Sequence, residues 1–406
     1  MPGTGAVPET RQSTRFLLLY ALAAAGGAVA YVPFLTVLLP VRVTALAGEA
    51  DVSWLAYVTL GGALTASVAN ILFGWLSDLT RNRVRWILTG LVLSSSMLMA
   101  IPVAQSLTVL IGTIVLWQLG LNMMLAPLAA WAGDCVPDGQ KGLLGGLLAF
   151  APALGAASGA LVTIPGLADA ETRLVMVVCL VAALVLPVVL FGRPRPMPQL
   201  MEDSAPGGEQ SDRPVALKSR SAVLRMWLAR LLVQIAEAAL FAYLLFWFRS
   251  IDAGMGDNHT ARIFAIVLGI AVPLAILVGR WSDIRDRPIL PLALASVLSS
   301  GGLIVMALAQ TLTVAIAGYV LFGLAASVFL SLHTGQTLRV LPRARHRARD
   351  LGIFNLTNTV PSLIMPWLTL ALVPVFGFSG LFWLLAALAA LAGALLASLT
   401  RLSPIS

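Results

Sequence analysis

The sequence predicts an all-α integral membrane protein, with twelve transmembrane helices in two pseudo-symmetric six-helix bundles. Three observations carry this. The 406 residues are 59% hydrophobic and only 11% charged, with a mean hydropathy of +0.92. Soluble domains run at about a quarter charged and about half apolar, so a water-soluble core could not hide this much apolar surface. The apolar residues fall in runs near the ~20 residues that an α-helix needs to cross the hydrocarbon. A short polar motif also recurs at matching places in the two halves, beginning at Gly74 and at Gly279. A soluble enzyme, a nucleic-acid binder, a coiled coil and a disordered regulator are excluded. An outer-membrane barrel is excluded too, because its strands alternate apolar and polar residues.

The spans follow in order. In the first bundle (1–192) they are 16–43, 52–77, 86–104, 107–132, 143–165 and 173–191. The polar residues up to Arg15 precede the first span. That span has no small-residue cleavage site and reads as a retained helix, not a signal peptide. In the second bundle (222–406) the spans are 223–248, 261–281, 289–309, 312–333, 351–375 and 381–400. Between the bundles, 193–221 holds RPRPMPQLMEDSAPGGEQSDRP, a polar, Pro-rich stretch expected to be a flexible cytoplasmic linker.

Lys and Arg set the orientation. With the N-terminus in the cytoplasm, cytoplasmic segments hold 21 of the 26 basic residues and outer segments four; Arg230 falls inside the seventh span. That bias puts both termini inside. It also accounts for the net charge of +8 without nucleic acid. Abundant Ala and Leu with few Lys point to a bacterial cell inner (cytoplasmic) membrane. Cys135 and Cys179 lie on apolar runs with no metal-type spacing and read as packing residues.

The repeated motif is GWLSDLTRNR in the first half and GRWSDIRDR in the second, each after the second span of its half. Gly74 and Gly279 would let helix backbones approach closely. Asp78 and Asp283 would accept hydrogen bonds from a neighbouring helix N-terminus. Arg81, Arg83 and Arg287 would hold ion pairs that exist in one conformation and so bias an equilibrium between two.

Twelve spans, a central linker and this loop in both halves resemble the major facilitator superfamily, over essentially the whole chain. The form from Ser77 to Arg83, SDLTRNR, resembles the loop of glycoside–pentoside–hexuronide symporters and sucrose-type transporters. ARDLGIFNLTNTVPSLIMPW, which leads into the eleventh span, resembles the same groups. The pattern Asp134-x-x-Pro137 resembles the superfamily's loop after the fourth span and implies a cytoplasmic gate. The cation-binding carboxylates that melibiose-type members carry on their second and fourth spans have no counterpart here before Asp78 and Asp134. The resemblance implies two six-helix halves around a central cavity bordered by the first, fourth, seventh and tenth or eleventh spans.

The chemistry centres on Glu237. It lies near the middle of the seventh span, where a carboxylate is costly unless paired, hydrated or protonated. Arg230, Gln234, Glu237 and Phe241 recur at i, i+4, i+7 and i+11 and share one helix face, which must point into the bundle. Glu237 is the expected proton-coupling group; a packing role, paired with Arg230 or Gln234, is the alternative. The substrate-binding candidates are Tyr20 and Tyr31 on the first span and Trp117, Gln118 and Asn122 on the fourth. Arg230 and Gln234 join them from the seventh, and Asn355, Asn358 and Thr359 from the eleventh. Amides beside an aromatic platform suit a sugar, whose hydroxyls want paired donors and acceptors and whose C–H face packs on a ring. Interhelical hydrogen bonding would explain the same residues singly. His333 is a second titratable candidate near a helix end.

The sequence lacks GxxxxGK[ST], so ATP-driven pumping is disfavoured. It lacks a catalytic triad and a metal cluster, so no enzyme activity, metal or cofactor is expected. The expected function is proton-coupled transport of a small polar solute, a sugar or glycoside before others, by alternating access. The alternative is proton-driven export of drugs or amphipathic compounds. The expected partners are the solute, protons and membrane lipid, with no nucleic acid, for a protein that works as a monomer.

Overall fold

The computed structural model describes residues 11–195, 197, 220–285, 287–340 and 347–400. Among them every regular element is helical. The predicted linker therefore lies almost wholly outside the described residues.

In the first half, α1 (Thr14–Pro33) passes through a π-helical turn (Phe34–Leu38) into α2 (Leu39–Ala47). Then come α3 (Asp51–Thr80), α4 (Arg83–Ala100), α5 (Leu107–Cys135), α6 (Asp138–Leu148), α7 (Ala151–Val162) and α8 (Ala170–Phe191). The second half holds α9 (Arg220–Ile251), α10 (Asp257–Ile284), α11 (Leu290–Leu308), α12 (Leu312–Val340) and α13 (Arg347–Thr400). Among the described residues, ten stretches are long and apolar enough to cross a membrane. The first spans 67 residues and the last 43, each enough for two crossings of ~20. The 3₁₀ turn Gly48–Ala50 divides the first, and Gly377, at φ 65 and ψ −174, divides the last. So divided, the stretches give twelve crossings. The predicted fifth span differs, being broken at Ala149 and Phe150 into α6 and α7, with a proline in the first turn of α7.

Local chemistry sets the ends. Ser13, Asn82, Ser106 and Asp169 accept hydrogen bonds from backbone N–H groups that α1, α4, α5 and α8 leave unpaired. The Thr172 hydroxyl and N–H hold the Asp169 carboxyl below the usual carboxylate range. Arg81 takes a left-handed conformation (φ 48) to end α3. Glycine sets helix spacing at two related places. A Cβ on Gly90 of α4 would collide with the backbone of Met124, and one on Gly120 of α5 would lie 2.6 Å from the backbone nitrogen of Ser94. In the second half, a Cβ on Gly302 of α11 would lie 2.5 Å from the nitrogen of Phe322 in α12. The two halves thus bring their third and fourth spans together by the same device, backbone against backbone.

The halves meet along α3 with α13, along α7 with α10, and where the π-helical turn lies on α9. One end of the bundle carries the arginine-rich loops; the other carries Gly48, Asp257 and Gly377. At the arginine-poor end, polar bonds tie the halves together. Arg173 donates to Asp257 at 2.6 Å. Asn258 donates to the Ala160 carbonyl at 2.9 Å and to the Thr163 hydroxyl at 3.1 Å. At the arginine-rich end, two side chains among the described residues make bonds within a half. Gln12, almost fully buried, donates to the carbonyls of Cys135 and Arg195. Arg225 donates to Ser398.

The repeated loop corrects two expectations. Arg83 pairs with Asp78 and with Asp134 (2.9 Å) and also donates to the Ser77 hydroxyl. Asp78 is thus satisfied by a guanidinium, while the N-terminus of α4 is capped by Asn82. A Cβ on Gly74 would meet nothing within 4 Å, and its neighbours Ile71 and Trp75 are exposed, so Gly74 brings no backbones together here. A Cβ on Gly279 would lie 3.0 Å from the Leu332 side chain, not from a backbone. Arg287 is exposed and its backbone bonds Ser282. The side chain of Asp283 lies outside the described residues.

Because one guanidinium neutralises two carboxylates, Arg83→Gln is expected to lower the melting temperature in detergent. The loss should correspond to about 1–2 kcal/mol, since Asp78 is mostly exposed and partly screened. An unchanged melting temperature would show that the network adds nothing to this conformation.

Candidate functional site

A cavity of about 420 Å³ lies between the halves. Helices from both sides build it: α1, the π-helical turn, α2, α3 and α5 from the first half, α9 and α13 from the second. The irregular backbone helps to shape it. The π-helical turn follows Pro33 and sets Leu35 on the wall, with Leu39 just beyond it. Pro361 and Pro366 interrupt α13 where it passes the cavity. Gly62 leaves room for the Gln118 amide, whose Nε2 lies 3.5 Å from where a Cβ would stand.

The wall is mixed. Tyr31, Thr59, Ser67, Gln118, Gln234, Glu237, Tyr243, Asn358, Thr359 and Ser362 bring polar groups. Leu35, Leu39, Val58, Ile114, Phe241 and Met365 are among its apolar members. Glu237 is the one acid among these lining residues. Its carboxylate makes no hydrogen bond or ion pair among the described residues. Gln234, one turn away, has a buried Oε1 without a partner. The Tyr243 hydroxyl is set toward Thr59 across the halves and toward Thr369, but no hydrogen bond of good geometry forms. The cavity wall thus holds polar groups that its own side chains leave unsatisfied, and an unmade buried hydrogen bond costs about 1–3 kcal/mol.

The structure brings some predicted candidates together and sets others apart. Tyr31, Gln118, Gln234, Glu237, Asn358 and Thr359 share the cavity. Arg230 does not line it, but donates to the Asn358 amide oxygen at 3.3 Å and so fixes a residue that does. Asn122 sits behind Gln118, donating to its carbonyl at 2.9 Å and accepting from Asn70 at 3.3 Å. Tyr20 is buried elsewhere, its hydroxyl donating to the Leu128 carbonyl at 3.0 Å. Trp117 is packed edge-on against Phe34, ring centroids 4.7 Å apart, in the core of the first half. Both aromatic side chains are away from the cavity. His333 is buried with Nε2 3.0 Å from the Met226 carbonyl. The side chain of Asn355 lies outside the described residues.

Sequence reasoning missed Thr59, Ser67 and Tyr243. A lone hydroxyl on an apolar span gives no signal by itself, because it can bond back to the carbonyl of the preceding turn, as Ser67 does to Ala63.

A family model described as Major Facilitator Superfamily matches residues 16–343. Among solved structures, a bacterial homolog of the human lysosomal transporter Spinster, in an inward-facing and occupied conformation, superposes with a TM-score of 0.67. It is 16% identical, with 95% of this chain and 96% of that one covered. The E310Q mutant of the peptide transporter POT, in complex with sulfate, superposes with a TM-score of 0.72 at 14% identity, covering 95% and 94%. No curated protein sequence matches the chain.

Proposed function

Because the chain belongs to the major facilitator superfamily, and is therefore a transporter and not an enzyme, we propose that it couples proton movement to transport of a small neutral polar solute. A sugar or glycoside is the solute we favour. The observation that carries this reading is the Glu237 carboxylate, unbonded among the described residues, in a cavity that both halves build. Such a group can hold a proton when the cavity faces one side and release it when the cavity faces the other. Sites of this kind, between repeats and near the midplane, suit alternating access.

The wall supports the solute class. Gln118, Gln234 and Asn358 offer amides, while Thr59, Ser67, Thr359 and Ser362 offer hydroxyls. Tyr31 and Phe241, ring centroids 6.2 Å apart, offer an aromatic edge for the C–H face of a sugar ring. The resemblance of SDLTRNR to sugar-symporter loops points the same way. With the arginine-rich end taken as cytoplasmic, the ties at the opposite end would lie on the outer side, which supports reading this conformation as inward-facing. The positive-inside rule supports cytoplasmic termini; a cell inner membrane and a monomer complete the reading we propose.

A second reading has its own support. Leu35, Leu39, Ile114 and Met365 line the same cavity as one carboxylate, which suits export of cationic amphiphiles. Proteoliposomes carrying an internal pH dye separate the two. Under the first reading, some mono- or disaccharide in a panel evokes internal acidification. If instead no sugar does so and cationic amphiphiles drive protons the opposite way, the export reading replaces it.

A further inference from the structure

Beside the main cavity, α9, α10 and α12 line a second, partly open chamber of about 20 Å³. Glu237 and Phe241 line both spaces. Phe241 stands between them, held on the cavity side by Tyr31 and on the chamber side by Phe264, whose ring lies 6.1 Å away at 70°. Glu237 therefore has two faces, one toward the solute cavity and one toward the chamber.

We propose that this chamber is a separate site for one water molecule, held between the carboxylate of Glu237 and the hydroxyls of Tyr319 and Ser327. The inference rests on the reading of Glu237 as the proton carrier. The volume exceeds the ~10–15 Å³ that a buried water needs, and such a water needs two to four polar partners. The chamber supplies three: Glu237 from α9, and Tyr319 and Ser327 from α12. Its remaining walls, among them Phe264, Val267 and Phe322, are apolar. Tyr319 is only 3% exposed, and its hydroxyl has no hydrogen-bond partner among the described residues. Ser327 is half-buried, and its hydroxyl likewise has no hydrogen-bond partner among the described residues. One shared water would give both hydroxyls a partner on a wall that, apart from Glu237, is otherwise apolar.

The electrostatic surroundings favour this arrangement. Arg230, on the same helix, is the cation facing Glu237. Tyr31 of α1 and Tyr319 of α12 are the titratable groups that face it from other helices. From α10 the chamber receives only Phe264, Val267 and Leu268, and from α13 the main cavity receives neutral Asn358, Thr359 and Ser362. When Glu237 is ionised, the water donates to it and accepts from a hydroxyl. When Glu237 is protonated, its O–H donates to the water, which turns its own hydrogens to the oxygens of Tyr319 and Ser327. Both charge states are then satisfied without the solute, and the proton still enters and leaves through the main cavity.

Infrared spectroscopy of the full-length protein in liposomes tests this, with pH as the variable and no solute needed. Glu237→Gln identifies the C=O stretch of the protonated carboxyl by its loss. In Tyr319→Phe and in Ser327→Ala, which each remove one oxygen, that band should move to higher wavenumber as its hydrogen bonding weakens. An unchanged band in both variants overturns the water site and leaves the proton-carrier reading intact. A wild-type band that moves when sodium replaces choline at fixed pH overturns it too, because a cation would then occupy the chamber. If Glu237→Gln removes no band at any pH, Glu237 carries no proton, and the wider reading falls together with this one.

Discussion

In Glu237→Gln proteoliposomes, an inward proton gradient should no longer drive solute accumulation, which should fall to the level of empty liposomes. Exchange of solute across the membrane without a gradient should persist. The amide matches the protonated carboxyl in shape and charge, so the cavity retains its form. What disappears is the ability to change charge as the cavity changes sides. Glu237 makes no bond among the described residues that the substitution would break, which separates this expectation from simple misfolding. Gln234 keeps its unpaired oxygen one turn away, and Arg230 still holds Asn358. If accumulation survives in the variant, Glu237 is a packing residue and the proton-coupled reading is lost. His333 would not readily take its place, since it is bonded to the Met226 carbonyl and does not line the cavity.

The second large effect is expected at the arginine-poor end. Asp257→Ala should shift the protein away from the conformation described here, by removing the carboxylate that Arg173 holds across the halves at 2.6 Å. The two side chains are only 18% and 23% exposed, so solvent screens the pair less than a surface one. Losing a hydrogen bond between charged groups costs about 1–3 kcal/mol. If the other conformation lacks this pair, that amount moves a two-state population roughly 5–150-fold. Spin labels on Leu167 and His259, exposed on opposite sides of this junction, would report the change as growth of a longer-distance population. The labels require Cys135 and Cys179 to be replaced by Ala. Exchanging the charges, Arg173→Asp with Asp257→Arg, should restore the short distance. If Asp257→Ala leaves the distance distribution unchanged, the pair is a bystander and the Asn258 bonds carry the closure.

The fold was legible because its determinants are local in the chain. Runs of apolar residues near bilayer length define spans, and Ser13, Asn82, Ser106 and Asp169 mark helix starts by capping chemistry that depends on a few neighbours. The break of the fifth span was not legible. Ala149 and Phe150 interrupt an apolar run without changing its hydropathy, and the only cue was the proline that follows. The seventh-span face was readable from periodicity: Gln234, Glu237 and Phe241 do share the cavity. The choice among aromatic residues was not. Tyr20 and Tyr31 lie on the same helix, three turns apart. Yet Tyr20 meets a carbonyl of α5, and Tyr31 meets the cavity and Phe241.

The repeated loop shows the same limit. Its recurrence announced a repeated structural unit, but the partners of its charges could not be deduced. Arg83 reaches Asp134, 51 residues further on, and Gly74 approaches no backbone in this conformation. By itself the sequence determined the solvent, most of the spans and the one acid placed deep in a span, because burying an uncompensated charge or an unpaired peptide in hydrocarbon is costly. Only the tertiary structure decided which polar groups share a cavity, which end holds the halves together, and that Glu237 borders two spaces. Those outcomes depend on helix rotation and on contacts between segments far apart in the chain, where the bilayer's demand for apolar surface gives no preference.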